Sequence, residues 1–409
     1  MVHIRLVKMP PSVSRLSNLV MNFMWIHGFV RFMPMRKEWS WLLNWLVHRS
    51  RRKKACFESI EMTIIYPPAL DWNLLFQRPQ QLMTAFSKIP GVRAIFINEE
   101  TYKKQSQPIE KLSDDLFLVQ KGINYDHLVK GKKVLWFSSP GQYNYRDGRN
   151  FDFTVFDYLD NSADEFAVWK DYIPKCFERA DLIATTAKVM YEAHKNDGKP
   201  IFMCPNGADY EHFKKARVSL PIPADFPDVK EGQKVVGFHG AMASWVDYSL
   251  ITDIADKGYR VVLIGNNALY QKNIVHPNIT CLPHKDYRVL PVYIAQFDVC
   301  IVPFKLTEMI RGCDPIKYYE YLSAGKPVIT TRMEEIVNKY SNVTYFMDRH
   351  NCGQMLQKAI SENSEAKIAA RAMVARANSW DGRAMDAVKM INQVMGGNVD
   401  ETDIQTNFR

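Results

Sequence analysis

The chain lacks most of the features that would place it at sight. Its seven cysteines in 409 residues (Cys56, Cys176, Cys204, Cys281, Cys300, Cys313 and Cys352) are odd in number and scattered, with no C-x-x-C pair and no zinc-type spacing to histidine. That excludes a disulfide scaffold or a zinc module and suits reduced thiols in a cytosolic setting. No G-x-G-x-x-G with an acidic partner about twenty residues on marks a dinucleotide site. No repeat of solenoid period occurs. The apolar segment near the start is interrupted by Asn22, His27 and Arg31, short of the roughly 20 apolar residues a spanning helix needs. Without a convincing h-region and small-residue cleavage site, no signal peptide is expected either.

Net charge is also missing from most of the chain. Residues 1–60 hold eleven lysines and arginines against Glu38 and Glu58, so the formal +9 of the protein resides there, and the rest balances at 42 residues of each sign. A global nucleic-acid-binding face is therefore not expected. Residues 1–58 also carry four of the nine tryptophans and two stretches of helical periodicity: Leu16, Leu19, Val20, Phe23, Met24 and His27, then Trp39 to His48. Aromatic helices followed by Arg49, Arg51, Arg52, Lys53 and Lys54 suit an anionic membrane interface. Packing on the rest of the protein or on a second subunit is the alternative.

From about Ser59 strands alternate with helical lengths. Runs at 60–66, 92–97, 133–137, 153–157 and 182–186 predict one doubly wound α/β sheet, and runs at 234–238, 260–265, 279–282, 299–302 and 327–330 a second. Pro221, Pro223 and Pro227 place the boundary in 211–231. The expected division is an appendage (1–58), a first domain (59–210), a second domain (211–378), a helix crossing back (379–396) and a polar tail (397–409).

The most informative stretch is Asp314-Pro315-Ile316-Lys317-Tyr318-Tyr319-Glu320, closing with Gly325 and Pro327. Asp314 is a candidate N-cap and Pro315 a first helical residue, with Gly325 ending the helix before a strand. The helix start gathers free N–H groups and partial positive charge, Lys317 stands in the first turn, and Glu320 follows three residues later on nearly the same face. Anion binding beside a carboxylate acceptor fits a nucleotide diphosphate-sugar, with phosphates for Lys317 and ribose hydroxyls for Glu320. Gly237-Phe238-His239-Gly240-Ala241 ends a strand with glycines, which permits close backbone approach to a phosphate or base. The cations available for the diphosphate are Lys317, Arg311 and Lys305.

Together with Asp71-Trp72, Gln77-Arg78-Pro79, Val155-Phe156-Asp157-Tyr158-Leu159-Asp160, Pro205-Asn206-Gly207-Ala208-Asp209 and Phe297-Asp298-Val299-Cys300, this stretch resembles the retaining family 4 group of GT-B glycosyltransferases. It is most similar to the teichuronic-acid and exopolysaccharide types, over roughly residues 60–395. The resemblance implies two Rossmann-like domains facing across a cleft, and transfer of a sugar from a nucleotide-sugar donor to a glycan or lipid-linked acceptor, while residues 1–58 would hold the enzyme on the cytoplasmic face of a membrane. The donor side would use Lys317, Glu320, Asp314, Gly312, Gly240, His239 and Lys305. Asp71, Trp72 and Arg78 would stand on the acceptor side, and Asp157, Asp160, Arg311 and Lys317 would serve the chemistry. No cofactor or metal is expected, since no D-x-D sits in a convincing loop position. The wider family carries a second glutamate eight positions before the one matched by Glu320, where this chain has Gly312. A sugar-nucleotide epimerase or hydrolase, and a non-catalytic scaffold for polysaccharide assembly, are the competing classes.

Overall fold

In the computed structural model, residues 61–265 and 274–397 are described. The expected amphipathic helices and the polar tail beyond Gly397 lie outside them. All described residues belong to the unit Ser59–Arg409.

The first sheet contains β1 (Met62–Tyr66), β2 (Val92–Asn98), β3 (Ile109–Ser113), β4 (Leu116–Gln120), β5 (Lys132–Phe137), β6 (Phe153–Tyr158), β7 (Leu182–Thr185) and β8 (Ile201–Met203). Its order is β3-β4-β2-β1-β5-β6-β7-β8, parallel except for β3 against β4. The second contains β9 (Val235–His239), β10 (Arg260–Ile264), β11 (Ile279–Leu282), β12 (Val299–Val302), β13 (Val328–Thr330) and β14 (Tyr345–Phe346), ordered β11-β10-β9-β12-β13-β14 and parallel throughout. Every residue of β1, β6, β9 and β12 is buried. Strands buried on both faces are apolar along most of their length, which is why they stood out as near-continuous apolar runs, with Thr63, Thr154, Asp157 and His239 as the buried polar exceptions.

Four strands were not foreseen. β3 is an antiparallel edge with the polar sequence Ile-Glu-Lys-Leu-Ser, β8 and β14 are edge strands of three and two residues, and β4 lies between β3 and β2. Partly solvated or very short edges carry little periodic signal.

The chain passes between the sheets twice. The first passage follows β8, and the second precedes the helix Trp380–Met395, whose Trp380, Ala384, Ala387, Val388 and Ile391 are buried in the core of the first sheet. The passages run side by side. Ala208 N donates to Asn378 O at 2.9 Å, Trp380 N to Ala208 O at 3.4 Å, and Ala208 and Ser379 form a parallel bridge.

Candidate functional site

Ligands of open α/β sheets sit beyond the carboxyl ends of the strands. A cleft of about 370 Å³ lies there, with His239 at the end of β9, Gly240 after it, Phe304 after β12, and Cys313 to Lys317 with Glu320 on one wall. Asp160 after β6, Phe166, and Phe76 with Gln77 form the other.

The helix Ile316–Ser323 carries the polar part of the first wall. Lys317 Nζ stands 5.0 Å from the ring centre of Phe304 and 5.6 Å from that of Phe238. Among the described residues no oxygen accepts from this ammonium. Burial lowers its pKa from the ordinary lysine value, while Cys313 and Glu320 pull the other way. Gly240 faces it at φ +134°, and a Cβ there would fall 2.6 Å from Lys317 Cε and 3.1 Å from Nζ. The glycine therefore supplies both the backbone conformation and the space that Lys317 occupies. Glu320, one turn on, is 4% exposed. Its Oε2 lies 3.2 Å from His239 Nε2, but the two are not aligned as a hydrogen bond and Nε2 has no hydrogen-bond partner. The backbone N–H of His239 donates to the hydroxyl of Tyr321 at 2.9 Å.

Asp160 enters from the other wall, with no hydrogen bond to its carboxylate among the described residues. Much of its surface faces the open cleft, yet the protein packed round the carboxyl pushes its pKa up to about 6, against the pull of Arg78 and with help from Asp157.

Other expected site residues lie elsewhere, each for a physical reason. Asp71 is fully buried: its Oδ1 accepts Asn73 N at 2.8 Å, and its Oδ2 accepts Tyr102 N at 2.7 Å and Lys103 N at 3.0 Å. Burial works to raise its pKa, but these amides outweigh it and hold the carboxyl below the ordinary value. Asp71 thus ties loops of the first domain together. Trp72 packs edge-on to Phe96 at 5.0 Å and Phe76 at 5.6 Å. Arg78 and Asp157, 2% and 1% exposed, form a two-point ion pair, Nη2 to Oδ1 at 2.7 Å and Nε to Oδ2 at 2.8 Å. Trp136 Nε1 also donates to Asp157 Oδ2 at 3.0 Å, and Arg78 Nη1 donates to Asn206 Oδ1 at 3.2 Å. Neither residue lines the cleft. Arg311 is exposed and paired with Glu308 at 3.1 Å and Glu334 at 3.2 Å, while Lys305 donates to Ser244 O at 2.6 Å; both stand off the cleft.

Asp314 is not the N-cap. The helix begins at Ile316 with Pro315 in the cap position, and the Asp314 carboxylate accepts Asn206 N at 2.7 Å and the Tyr319 hydroxyl at 2.8 Å. It fastens the cleft wall to the first passage between domains. Gly312 is buried against the first domain, where a Cβ would lie 2.9 Å from Asn161 Cβ, so this position has no room for a carboxylate side chain.

Sequence reasoning missed the residues that join the two walls. Gln81 Nε2 donates to the Tyr287 hydroxyl at 2.7 Å, and the Tyr287 ring lies 4.7 Å from Phe76 and 4.5 Å from His212. Tyr287 sits in the polar run His284-Lys285-Asp286-Tyr287, which has no periodicity to betray it. On the opposite side Asp164, at φ 47°, accepts Met309 N at 2.8 Å, and Asn161 Nδ2 donates to Glu308 O at 3.0 Å.

Residues 233–362 match the family described as Glycosyl transferases group 1. A Bacillus subtilis (strain 168) protein, TuaH, assigned by its name to teichuronic acid biosynthesis as a glycosyltransferase, is 25% identical over 224 residues. That match takes in 49% of this chain and 55% of the relative, so the chain matches only about half the relative's length. Among solved structures, sucrose-phosphate synthase from Thermosynechococcus elongatus superposes with a TM-score of 0.62 at 14% identity, over 82% of this chain and 99% of that one. A glycosyltransferase from Rickettsia africae gives 0.58 at 12% over 82% and 99%. WaaG, a glycosyltransferase involved in lipopolysaccharide biosynthesis, gives 0.53 at 12% over 80% and 99%. These likenesses establish the fold. Residues 233–362 are thus a glycosyl transferase group 1 domain, set in a chain of GT-B architecture.

Proposed function

We propose that the protein is a glycosyltransferase that moves a sugar, with retention and without a metal, from a nucleotide diphosphate-sugar to a glycan or lipid-linked acceptor of a cell-surface polysaccharide. The observation that carries this reading is Lys317, an ammonium held between two aromatic rings in the cleft with no carboxylate on it, one helical turn from the buried acceptor Glu320. The diphosphate would meet Lys317 and the opening of its helix, so charge developing on the leaving group is stabilised without a general acid. Glu320 would accept from the ribose hydroxyls. Asp160, with a pKa of about 6, is suited to exchange a proton near neutral pH, and it or the donor phosphate takes the proton of the acceptor hydroxyl. A thermal-shift screen with nucleotide-sugars, free nucleoside diphosphates and nucleosides tests the proposal. Ligand at 100 times its dissociation constant adds about 2.7 kcal/mol of stability, and a screen in which no diphosphate shifts unfolding would dismiss the reading.

Residues 1–58 would hold the enzyme on the inner face of an anionic membrane. What supports this is their sequence: eleven basic residues and four tryptophans. Among the described residues no helix is long and apolar enough to cross a membrane. The full-length chain should sediment with anionic vesicles at low salt and release as salt rises; indifference to such vesicles would rule out this attachment.

A further inference from the structure

The segment Asp164–Tyr172 is a 3-10 helix of nine residues, long for a conformation rarely sustained beyond three or four. With about three residues per turn, positions three apart eclipse, so Phe166, Trp169 and Tyr172 stand on one ridge. The ridge begins in the cleft, where Phe166 is part of the wall and its ring centre lies 6.0 Å from that of Trp245. It then runs outward. The rings of Trp169 and Tyr172 are 5.9 Å apart, those of Tyr172 and Tyr143 are 6.0 Å apart, and Lys175 Nζ stands 5.2 and 5.3 Å from the latter two.

These rings are not spare parts of the core. Trp169 and Tyr172 belong to none of the four buried clusters, all four rings keep part of their surface in solvent, and Val168 between them is 66% exposed. Neither Lys170 nor Lys175 has a carboxylate partner among the described residues, and the Trp169 indole N–H makes no hydrogen bond there. The loop after β5 comes up beneath Trp169, with the Cβ position of Gly141 at 3.3 Å from the indole ring. The result is a firm, half-wet aromatic track about 12 Å long, from six residues at ~2.0 Å rise. Rings with an apolar face and polar groups at the edge match a saccharide, whose C–H face stacks on an aromatic while its hydroxyls meet indole N–H, phenol and ammonium groups.

We propose that Phe166, Trp169, Tyr172 and Tyr143 with Lys175 form a subsite for the outer sugar units of a saccharide acceptor, leading its reacting end into the cleft. The proposal rests on the glycosyltransferase reading and adds the acceptor's class, a chain of sugars and not a single small alcohol. The test is saturation-transfer NMR on the full chain with maltohexaose as a neutral probe and hexagalacturonate as an acidic one, beside calorimetric binding of UDP and GDP. At least one hexasaccharide should receive saturation, and the double variant Trp169→Ala/Tyr172→Ala should bind it about ten-fold more weakly with nucleotide binding and unfolding temperature kept. Trp169→Tyr, which keeps a stacking face, should retain most of the signal. A response to the acidic probe alone, abolished by Lys175→Met, would assign the ammonium to a sugar carboxylate. Absence of saturation from both probes, or full retention in the double variant, overturns the subsite; if UDP or GDP still binds, the transferase reading survives, and if no nucleoside diphosphate of the thermal-shift screen binds, it falls as well.

Discussion

The scaffold behind the cleft and the cleft itself treat their polar side chains in opposite ways. In the first domain Asp71, Arg78 and Asp157 are buried and have their hydrogen bonds met from within the protein. In the cleft, among the described residues, Lys317 has aromatic rings but no hydrogen-bond acceptor, Asp160 has no hydrogen bond to its carboxylate, and Glu320 has an unaligned histidine nitrogen beside it. Leaving buried polar groups unmet is costly, so a protein keeps them where something else will meet them. On the proposed function the satisfied charges belong to the scaffold and the unsatisfied ones in the cleft to the donor.

Breaking the satisfied side should give the largest effect. Arg78→Met leaves Asp157 buried without its cation and should cost about 3–5 kcal/mol of stability, while adding Asp157→Leu should restore much of it. Denaturant unfolding measures both, and a single variant as stable as the parent would show that the pair is not structural. On the unsatisfied side stability should hold while binding suffers. Lys317→Ala should weaken a nucleoside diphosphate by about 1.5–3 kcal/mol, the usual worth of a hydrogen bond to a charged group, and leave the bare nucleoside unaffected. Equal losses for the two ligands, measured by calorimetry, would return Lys317 to the scaffold. Gly312→Glu probes the seam between the walls: with Asn161 Cβ 2.9 Å from the new Cβ, overpacking should cost about 1–3 kcal/mol. A variant of parental stability would show that the Asn161 loop yields.

The smallest effect is expected at Asp160, and it depends on pH. The folded chain holds its proton up to about pH 6, against an ordinary value of 3.8. The proton is therefore bound more tightly in the folded state, and the stability it contributes is complete below 3.8 and lost as pH rises through about 6. Asp160→Asn cannot ionise, so it should unfold at a higher temperature than the parent above pH 6, with the difference shrinking below pH 4. Melting curves across that range check the sign, and a variant less stable at pH 7 contradicts it.

What was legible in the sequence was local. Lys317 and Glu320 lie three residues apart on one helix, and Gly240 ends a strand whose burial shows in its apolar run, so one short window placed each of them. The pairs that gave other residues their roles are distant in the chain. Arg78 meets Asp157 across 79 positions and the Asp314 carboxylate meets Asn206 across 108. No spacing rule reaches that far, and a candidate N-cap at Asp314 was outbid by a tertiary partner. Most central strands were legible because burial on both faces leaves them largely apolar, whereas β4 was missed although it is apolar and buried. The edge strands β3, β8 and β14 were not, because solvent or brevity removes that pattern.

Two neighbouring passages of backbone, latched where Ala208 meets Asn378 and Trp380, act on the halves of the molecule as a pair of pins acts on a door. A single thread would let one half twist or slide against the other, whereas two pinned threads leave swinging as the soft motion. On the proposed function, any closure about these pins would return Lys317 to the same place opposite Asp160 and Phe166, so that the alignment of donor with acceptor would be inherited from the pivot instead of being searched for at every turnover.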